Sequence, residues 1–292
     1  MVGRRLCTEQ EAVKRGFGSR DAARRRQVLR ETLAAFERAE PADRYHRLAN
    51  ENLDRWRVGR SDPEARSTPR IEIHPSDWGE LTRALTVEHG VCMAVLNMAN
   101  ALVPGGGYVE GAAAQEENLF RRTNCHFSLA AKTDPRTPDR YNPQMTRLLS
   151  AEDGQVYLDV QQPRVCIRGA EDRSRSDLGY AWLPDDAIFP FYELRAAAVD
   201  LRGGANFDAD AMRRRITAQF DTLHDHGIRH AVLGAFGCGA FGNPARRVAE
   251  LYRDQLFARA GQFDLVAFAI FHAGYGPDNI TPFMEVFARP TP

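Results

Sequence analysis

The chain has 292 residues, 43% of them hydrophobic, and its 39 basic and 39 acidic residues give a formal net charge of zero. This composition suffices for a sizeable core and for one large domain, or for one domain with an extension. A chain without net charge has no overall field that attracts nucleic acid or an anionic membrane, so charge supports neither class of partner.

The cysteines and the apolar runs indicate the compartment. The five cysteines form no C-x-x-C pair, which argues against a structural zinc site and against a disulfide framework. No run approaches the 18 apolar residues of a membrane span, and the first 17 residues lack the apolar core of a secretory signal. We therefore predict a cytoplasmic protein, while export by a route that needs no such signal stays open.

The first 60 residues carry apolar side chains at helical spacing. A helix is predicted from Asp21, as its N-cap, to a stop before Pro41, and a second helix covers 44–56. The stretch RSDPEARSTPR at 60–70 contains two prolines and is polar, which is typical of a linker. We therefore divide the chain into an N-terminal helical extension, residues 1–69, and a main domain, residues 70–292.

Strands and helices alternate in the main domain. We predict strands at 70–74, 91–97, 156–160, 164–169, 193–201, 230–236, 265–271 and near 283–287. We predict helices at 77–90 (capped by Ser76), 115–131, 208–227 and 244–261, and mostly loop over 132–155. Apolar strands that alternate with long helices predict an α/β sandwich with a mostly parallel sheet.

Two glycine-rich loops follow predicted strands. One covers 97–114 and contains the triplet Gly105–Gly107, and the other, GCGAFGNP, covers 237–244. Ligands of open α/β sheets bind beyond the carboxyl ends of the strands, and glycine-rich backbone presents N–H groups to anions. Neither loop has the spacing of a P-loop or of a dinucleotide fingerprint. Each could be a simple tight turn, but two at corresponding strand ends favour a shared diphosphate site.

The first loop ends in Gln115, Glu116 and Glu117. Acidic residues in a first helical turn complement the helix dipole, which is one sufficient reason for their presence. A bound diphosphate would also raise the pKa of a neighbouring carboxyl group and keep it protonated. Glu117 is therefore our candidate for an acid that acts when substrate is bound, with Glu116 as its neighbour and a ribose ligand.

A glycine triplet, seven further residues and then Gln-Glu-Glu resembles the signature of bacterial and fungal-type poly(ADP-ribose) glycohydrolases. The resemblance extends to VLNMANALVPGGG, LFRRTN and LGAFGCGAFGNP, and in element order it spans roughly residues 25–290. It implies a macrodomain-like three-layer α/β/α sandwich with a mixed, mostly parallel sheet and an N-terminal helical extension. It implies no metal and no cofactor, and its partner is ADP-ribose, poly(ADP-ribose) or an ADP-ribosylated protein.

The resemblance also implies roles for single residues. Glu117 becomes the catalytic acid/base and Glu116 holds a ribose. The first loop contacts the diphosphate and the ribose at the scissile bond, and the second loop wraps the diphosphate while Phe241 packs on the ribose. Asn97 and Asn100 lie where macrodomains place a ribose-binding asparagine, although Asn97 could instead cap backbone groups. The implied substrate-binding residues are Asn97, Asn100, Gly105, Gly106, Gly107, Gln115, Gly237, Cys238, Gly239, Ala240, Phe241 and Gly242.

Cleavage of a ribose C1″–O bond passes through an oxocarbenium-like state, around which most glycosidases place two separated carboxyl groups. Adjacent glutamates point in different directions, so we expect one carboxyl group, that of Glu117, to protonate the leaving oxygen and then to activate water. A nucleophilic Cys125 activated by His126 is the weaker reading, since neighbours in sequence do not face each other on a helix.

Three functions stay open at this point. The first is hydrolysis of poly(ADP-ribose), and the second is removal of a single ADP-ribose from arginine or another side chain. The third is ADP-ribose binding without catalysis, which the acid pair argues against. The sequence departs from the family pattern at Val103-Pro104 and after the acid pair, which puts the substrate in question. The polar segment 170–183 could shape acceptor specificity, but we favour a plain surface loop.

Overall fold

The structure is a computed structural model that describes residues 4–60, 68–130, 132–272, 274 and 276–288. The helices are α1 (Glu9–Lys14), α2 (Arg20–Glu37), α3 (Arg44–Arg57), α4 (Trp78–His89), α5 (Gln115–Arg122), α6 (Pro143–Leu149), α7 (Ala209–Asp225), α8 (Ala245–Phe257) and α9 (Ile280–Ala288). The strands are β1 (Arg70–His74), β2 (Ala94–Met98), β3 (Thr133–Asp134), β4 (Thr137–Tyr141), β5 (Tyr157–Cys166), β6 (Phe189–Ala196), β7 (His230–Leu233) and β8 (Leu265–Ala269). Short 3₁₀ helices cover Asn124–Leu129 and Asp185–Ala187.

A six-stranded sheet in the order β1-β8-β7-β2-β6-β5 forms the centre of the fold. Every neighbouring pair is parallel except β5 and β6, which are antiparallel. The carboxyl ends of β1, β8, β7, β2 and β6 therefore meet at one edge of the sheet. Strand β2 lies between β6 and β7, but its pairing with β7 covers only Ala94 and Val95. The two strands diverge beyond that point and leave room for a ligand.

Both faces of the sheet are buried. The start of β2 shows this, because Ala94 and Leu96 belong to one core while Val95 and Met93, the residue before the strand, belong to the other. Buried side chains of α7, α8 and α9 fill the first core, and those of α2 and α4 fill the second. This alternation explains the continuous apolar run of β2, which is typical of a strand covered on two sides. The predicted α/β sandwich with a mostly parallel sheet is confirmed.

Three predictions of single elements are wrong. The segment near 283–287 is helix α9, because Phe283 and Val286 pack into the core at helical spacing and Asp278 accepts the N–H groups of Ile280 and Thr281. The stretch 132–155, predicted as mostly loop, contains the β3–β4 hairpin and α6. The strands predicted at 156–160 and 164–169 form a single irregular strand, β5.

The helix boundaries also differ from the prediction at three places. Ser19 rather than Asp21 caps α2, and Asp77 rather than Ser76 caps α4, since these side chains accept the free N–H groups of the first turn. The helix predicted at 115–131 ends at Arg122 and continues as a 3₁₀ helix after Thr123, whose hydroxyl accepts the N–H of Cys125. The linker predicted at 60–70 falls mostly on residues 61–67, which lie outside the described residues.

Helix α2 packs directly on the main domain. Thr32 donates a hydrogen bond of 2.7 Å to the carbonyl of Arg121 at the end of α5, and its own hydroxyl accepts one of 2.8 Å from Arg168. Gly111, with φ of +92°, lies so close to α2 that a β-carbon there would overlap the carbonyl oxygen of Ala22. The loop before α5 is therefore built against α2. None of the helices among the described residues is long and apolar enough to cross a membrane.

The contact between Gly111 and Ala22 is testable by substitution. We expect Gly111→Ala to lower the free energy of unfolding by about 2–4 kcal/mol, because a left-handed backbone and an overlap with backbone atoms both oppose the added methyl group. Gly154→Ala is the matched control, since Gly154 also has positive φ (+74°) but open space around it. We expect it to lose only about 1–2 kcal/mol in denaturant titrations. Equal losses would contradict the close approach of α2.

Candidate active site

A cavity of about 780 Å³ opens at the carboxyl edge of the sheet. The ends of β2, β7 and β8 form its floor, with Met98, Leu233 and Ala269 among the lining residues. The first glycine loop and the start of α5 form one wall, the second glycine loop forms another, and residues 276–277 and 279–280 complete the rim. This volume falls within the usual range for sites that enclose a small organic ligand.

The glycine triplet packs against both glutamates of the acid pair. Gly106 has φ of +58°, and a β-carbon there would overlap the Glu117 carboxyl group and lie 2.9 Å from Oε2 of Glu116. A side chain at this position would therefore displace the carboxyl groups as well as strain the backbone. Only glycine at this position lets the loop cover both carboxyl groups, which is a steric reason for the triplet to precede the acid pair.

Each glutamate is held by one backbone N–H group. Oε1 of Glu117 accepts a hydrogen bond of 2.8 Å from Gly107, and Oε2 of Glu116 accepts one of 2.8 Å from Asn100. Both side chains are buried. Their other oxygens, Glu116 Oε1 and Glu117 Oε2, have no hydrogen-bond partner among the described residues. Buried oxygens without partners at a cavity wall are suited to contact the hydroxyl groups of a ligand.

Burial and charge repulsion both act on the acid pair. Burial raises the pKa of Glu116 well above its usual range, and the neighbouring Glu117 carboxylate raises it further. The protonated form of Glu116 is therefore favoured, and a protonated carboxyl group is what general acid catalysis requires. That a bound diphosphate makes an acid of Glu117 stays a prediction.

Asn100 and Gln115, two further predicted polar residues, both lie at the cavity but have structural contacts of their own. Asn100 lines the cavity, and its side-chain oxygen accepts the N–H groups of Leu102 and Val103, which turns the chain into the triplet. Gln115 also lines the cavity, but its amide is hydrogen-bonded to the N–H of Met98 and the carbonyl of Leu96, where β7 no longer pairs with β2. Gln115 therefore anchors α5 to β2.

Asn97 lies outside the cavity and is fully buried. Its amide donates a hydrogen bond of 2.8 Å to Glu193, which also pairs with Arg195 and Arg164. Burial alone would raise the pKa of Glu193, but the two guanidinium groups hold it at about 2. The structure therefore corrects the interpretation of Asn97 as a ribose ligand or a backbone cap, and instead places it in an ionic cluster behind the site.

The second glycine loop presents mainly backbone to the cavity. Gly237, Gly239, Ala240 and Phe241 line it, whereas the predicted Cys238 and Gly242 do not. The Cys238 side chain belongs to the core, where burial raises its pKa to about 12. Within the described part of the chain, no protein acceptor receives the N–H groups of Gly239, Ala240 and Phe241. These donors can therefore serve an anionic ligand.

Sequence reasoning missed four arginines at the cavity wall: Arg4, Arg15, Arg173 and Arg202. Arg202 is held by Asp200 through contacts of 2.8 and 3.0 Å, and its guanidinium lies 5.0 Å from the centre of the Phe241 ring. Arg173 donates to the carbonyl of Ala113 and pairs with Glu171. The Asp-x-Arg spacing at 200–202 was the available sequence signal for Arg202. Nothing in the sequence indicates which of the chain's many arginines face the cavity.

The polar segment 170–183 is more than a surface loop. Glu171 is buried, lines the cavity and pairs with Arg25 of α2 at 2.7 Å. Tyr180 is also buried, and its hydroxyl group donates a hydrogen bond to Glu171. Its backbone has a left-handed φ of +55°, as is common in turns. Segment 170–183 therefore connects the N-terminal extension with the cavity wall. Its tip, around Arg175 and Asp177, and residues 181–182 are exposed, as predicted for a surface loop.

The fold and the site together define an α/β enzyme of the glycosidase class. Parallel strands end at a cavity that contains a buried acid pair, with free backbone donors for an anion beside it. Residues 9–157, just over half of the chain, match the family described as the catalytic domain of microbial-type PARG. The chain belongs to this family, in which PARG stands for poly(ADP-ribose) glycohydrolase.

Solved structures give the same result. The chain is 26% identical to poly(ADP-ribose) glycohydrolase from Thermomonospora curvata, with a TM-score of 0.64 over 90% of this chain and 99% of that one. The T. curvata structure with the inhibitor ADP-HPD is also 26% identical, with a TM-score of 0.62 over 89% and 98% of the two chains. The Deinococcus radiodurans enzyme in complex with ADP-ribose shares the fold, at 24% identity and a TM-score of 0.56 over 84% and 91%. No curated protein matches the chain.

These matches confirm the predicted family, the fold class and the glycosidase class. They do not assign roles to single residues of this chain.

The raised pKa of Glu116 predicts a pH-dependent stability. The folded protein retains a proton that the unfolded chain releases above pH 4.5, the usual pKa, so stability falls as pH rises from there through the raised pKa. Glu116→Gln stays neutral and should remove this fall. We expect the variant to be more stable than the wild type at pH 8, by thermal denaturation, and the difference to shrink at pH 5. The exposed Glu80→Gln is the control; parallel pH curves for wild type and Glu116→Gln would contradict the assignment.

Proposed function

We propose that the protein hydrolyses the ribose glycosidic bond of poly(ADP-ribose) and releases ADP-ribose. The observation that carries this proposal is the acid pair, with one unpartnered oxygen on each glutamate at the wall of a cavity that has free backbone donors. Its support from relatives is the family match and the T. curvata enzyme, whose structure contains the inhibitor ADP-HPD. A module that only binds ADP-ribose would not need a buried acid pair, whose burial costs free energy.

The diphosphate belongs, in this proposal, between the two glycine loops. The N–H groups of Gly239, Ala240 and Phe241 donate to it from one side, and the backbone of Gly106 and Gly107 lies on the other, whereas Gly105 does not line the cavity. The Phe241 ring packs against a ribose. Arg202, close to this ring, adds a positive charge near the phosphates. A charge-assisted contact of this kind is stronger than a neutral hydrogen bond.

Glu117 is proposed as the acid/base and Glu116 as the ribose ligand. The raised pKa of Glu116 favours a proton on that side chain, directly beside Glu117. The diphosphate, negatively charged, favours a proton on the nearer carboxyl group. The Gly107 N–H fixes Oε1 of Glu117 at 2.8 Å, so Oε2 is the atom left to face the glycosidic oxygen.

The reaction then balances with one water molecule. Glu117 gives its proton to the glycosidic oxygen while the C1″–O electron pair moves to that oxygen, and the alcohol leaves. The ribose becomes oxocarbenium-like, and the nearby diphosphate stabilises its positive charge. Water adds to C1″ and returns a proton to the Glu117 carboxylate. The residues of the chain supply acid, base and orientation, and the proposal needs no metal.

We also propose two features of context. Residues 1–69 act as a helical extension that supports a macrodomain-like catalytic domain over residues 70–292. The cytoplasm suits the protein, because its five cysteines are free thiols, as expected in a reducing compartment. An ADP-ribosylated protein is a possible carrier of the polymer.

Substrate choice decides between the candidate functions. We expect ADP-ribose to be released from poly(ADP-ribose), followed by chromatography of the products, and little release from protein with a single arginine-linked ADP-ribose. Release from the arginine-linked substrate alone would replace the proposal with a mono-ADP-ribosyl hydrolase. Binding of the polymer without any product would instead indicate a binding module.

Glu117→Gln tests the proposed catalytic residue. The amide oxygen can still accept the Gly107 N–H, but the side chain can neither donate nor receive the proton. We expect kcat to fall about 10²- to 10⁴-fold while the affinity for ADP-ribose, measured by calorimetry, changes little. Glu80→Gln, an exposed glutamate on α4, should keep wild-type activity. Near-normal turnover by Glu117→Gln would rule out this residue as the acid/base.

A further inference from the structure

The N-terminal arm, residues 4–17, contacts the glycine triplet through Arg4. Arg4 in this arm is 4% exposed, although its charge would favour the surface. The arm includes α1, and Phe17 at its end lines the cavity. The contacts of Arg4 reach 100 residues or more along the chain, so the arm is part of the site wall.

Arg4 is held in one orientation by acceptors on three sides. Its Nη1 donates a hydrogen bond of 2.6 Å to the carbonyl of Gly106, its Nη2 one of 3.2 Å to Glu110, and its Nε one of 3.1 Å to Asp139. Its Cζ also lies 5.8 Å from the centre of the Tyr108 ring. A planar fork with a partner for each edge cannot rotate without losing several bonds.

The carbonyl that Arg4 binds belongs to the peptide unit that holds Glu117. The C=O of Gly106 and the N–H of Gly107 are parts of one planar group and point in opposite directions. The carbonyl accepts from Arg4, and the N–H donates to Glu117 Oε1 at 2.8 Å. Flanking glycines leave such a peptide free to rotate unless it is bound on both sides. A cation on the carbonyl also polarises the N–H toward its acceptor.

We propose that Arg4 is a positioning residue that fixes the Gly106–Gly107 peptide and thereby orients the carboxyl group of Glu117. The inference rests on the proposed role of Glu117, and it assigns a part of the catalytic apparatus to the N-terminal arm. Arg4 is among the lining residues of the cavity, and in this scheme it contacts none of the reacting atoms.

Glu110 completes the attachment of the arm. This buried carboxylate pairs with both Arg4 and Arg15, and its own N–H donates to the carbonyl of Gly107. The carbonyl of Glu110 accepts a hydrogen bond of 2.9 Å from Arg26 of α2. Glu110 is therefore bound by three arginines of the first 26 residues. These contacts hold the first glycine loop in place around the Gly106–Gly107 peptide.

The test replaces Arg4 by methionine, which preserves apolar volume but removes every donor. We expect kcat on poly(ADP-ribose) to fall about 10- to 100-fold, the equivalent of one charged hydrogen bond, with little change in KM. Arg4→Lys, which can still reach the carbonyl, should recover part of kcat. Arg5→Met, an exposed neighbour paired with Glu11, is the control.

Two further measurements keep the inference falsifiable. Removal of Arg4 also leaves the buried Glu110 carboxylate with one partner fewer. To separate this effect, the Arg4→Met/Glu110→Gln double variant is compared with Glu110→Gln alone. We expect Arg4→Met to cause the same loss of kcat in this background. Hydrogen exchange at Gly107 should be faster in the folded Arg4→Met protein, with or without substrate. Unchanged exchange, unchanged kcat in both backgrounds, or a loss confined to KM would overturn the inference. If the wild-type protein releases no ADP-ribose, the proposed function is wrong. Hydrogen exchange at Gly107 would still test whether Arg4 fixes the Gly106–Gly107 peptide.

Discussion

The burial of two adjacent carboxyl groups is the constraint on which the rest of the site depends. An ionised carboxylate loses much of its hydration when it is buried, and a second one beside it adds repulsion. The chain gives Glu116 and Glu117 one backbone donor each and raises the pKa of Glu116. A cavity wall that contains this buried pair is suited to chemistry in which a proton moves.

The surroundings of the pair follow from this requirement. The loop that supplies the two N–H donors must cover the carboxyl groups closely, and Gly106 permits this because it has no side chain. Helix α5 must begin at a fixed point, and Gln115 achieves this by completing the hydrogen bonds of β2 where β7 diverges. Helix α2 and the N-terminal arm then support the loop from behind, through Ala22, Arg26 and Arg4. The extension therefore stabilises the conformation of the site as well as covering one core.

Much of the fold could be predicted from local signals in the sequence. Apolar runs gave the parallel strands, and the glycine triplet and the acid pair gave the position of the site. The failures have local causes of their own. In 283–287, Phe283 and Val286 are three residues apart, a helical spacing that a short apolar segment conceals, and Asn142–Pro143 marked the start of α6 inside a stretch predicted as loop. Asn97 was misplaced because its direction depends on Glu193 of a neighbouring strand.

Non-local contacts account for the rest of what the sequence did not reveal. Arg4 and Gly106 are about 100 residues apart, and no spacing rule relates them. Cys238 sits in a glycine loop that faces the cavity, yet its side chain turns into the core. Arg202 is one of many arginines, and only the fold shows that it lies over Phe241. Sequence patterns thus identify the loops that build a site, while side-chain directions within the loops depend on tertiary packing.

A crystal structure of the protein with ADP-ribose tests the central claim most directly. We expect the diphosphate to accept hydrogen bonds from the N–H groups of Gly239, Ala240 and Phe241. The hydroxyl on the ribose C1″ should lie within hydrogen-bonding distance of the Glu117 carboxyl group. A diphosphate bound elsewhere, or a C1″ turned away from both glutamates, would contradict the assignment of this cavity as the active site.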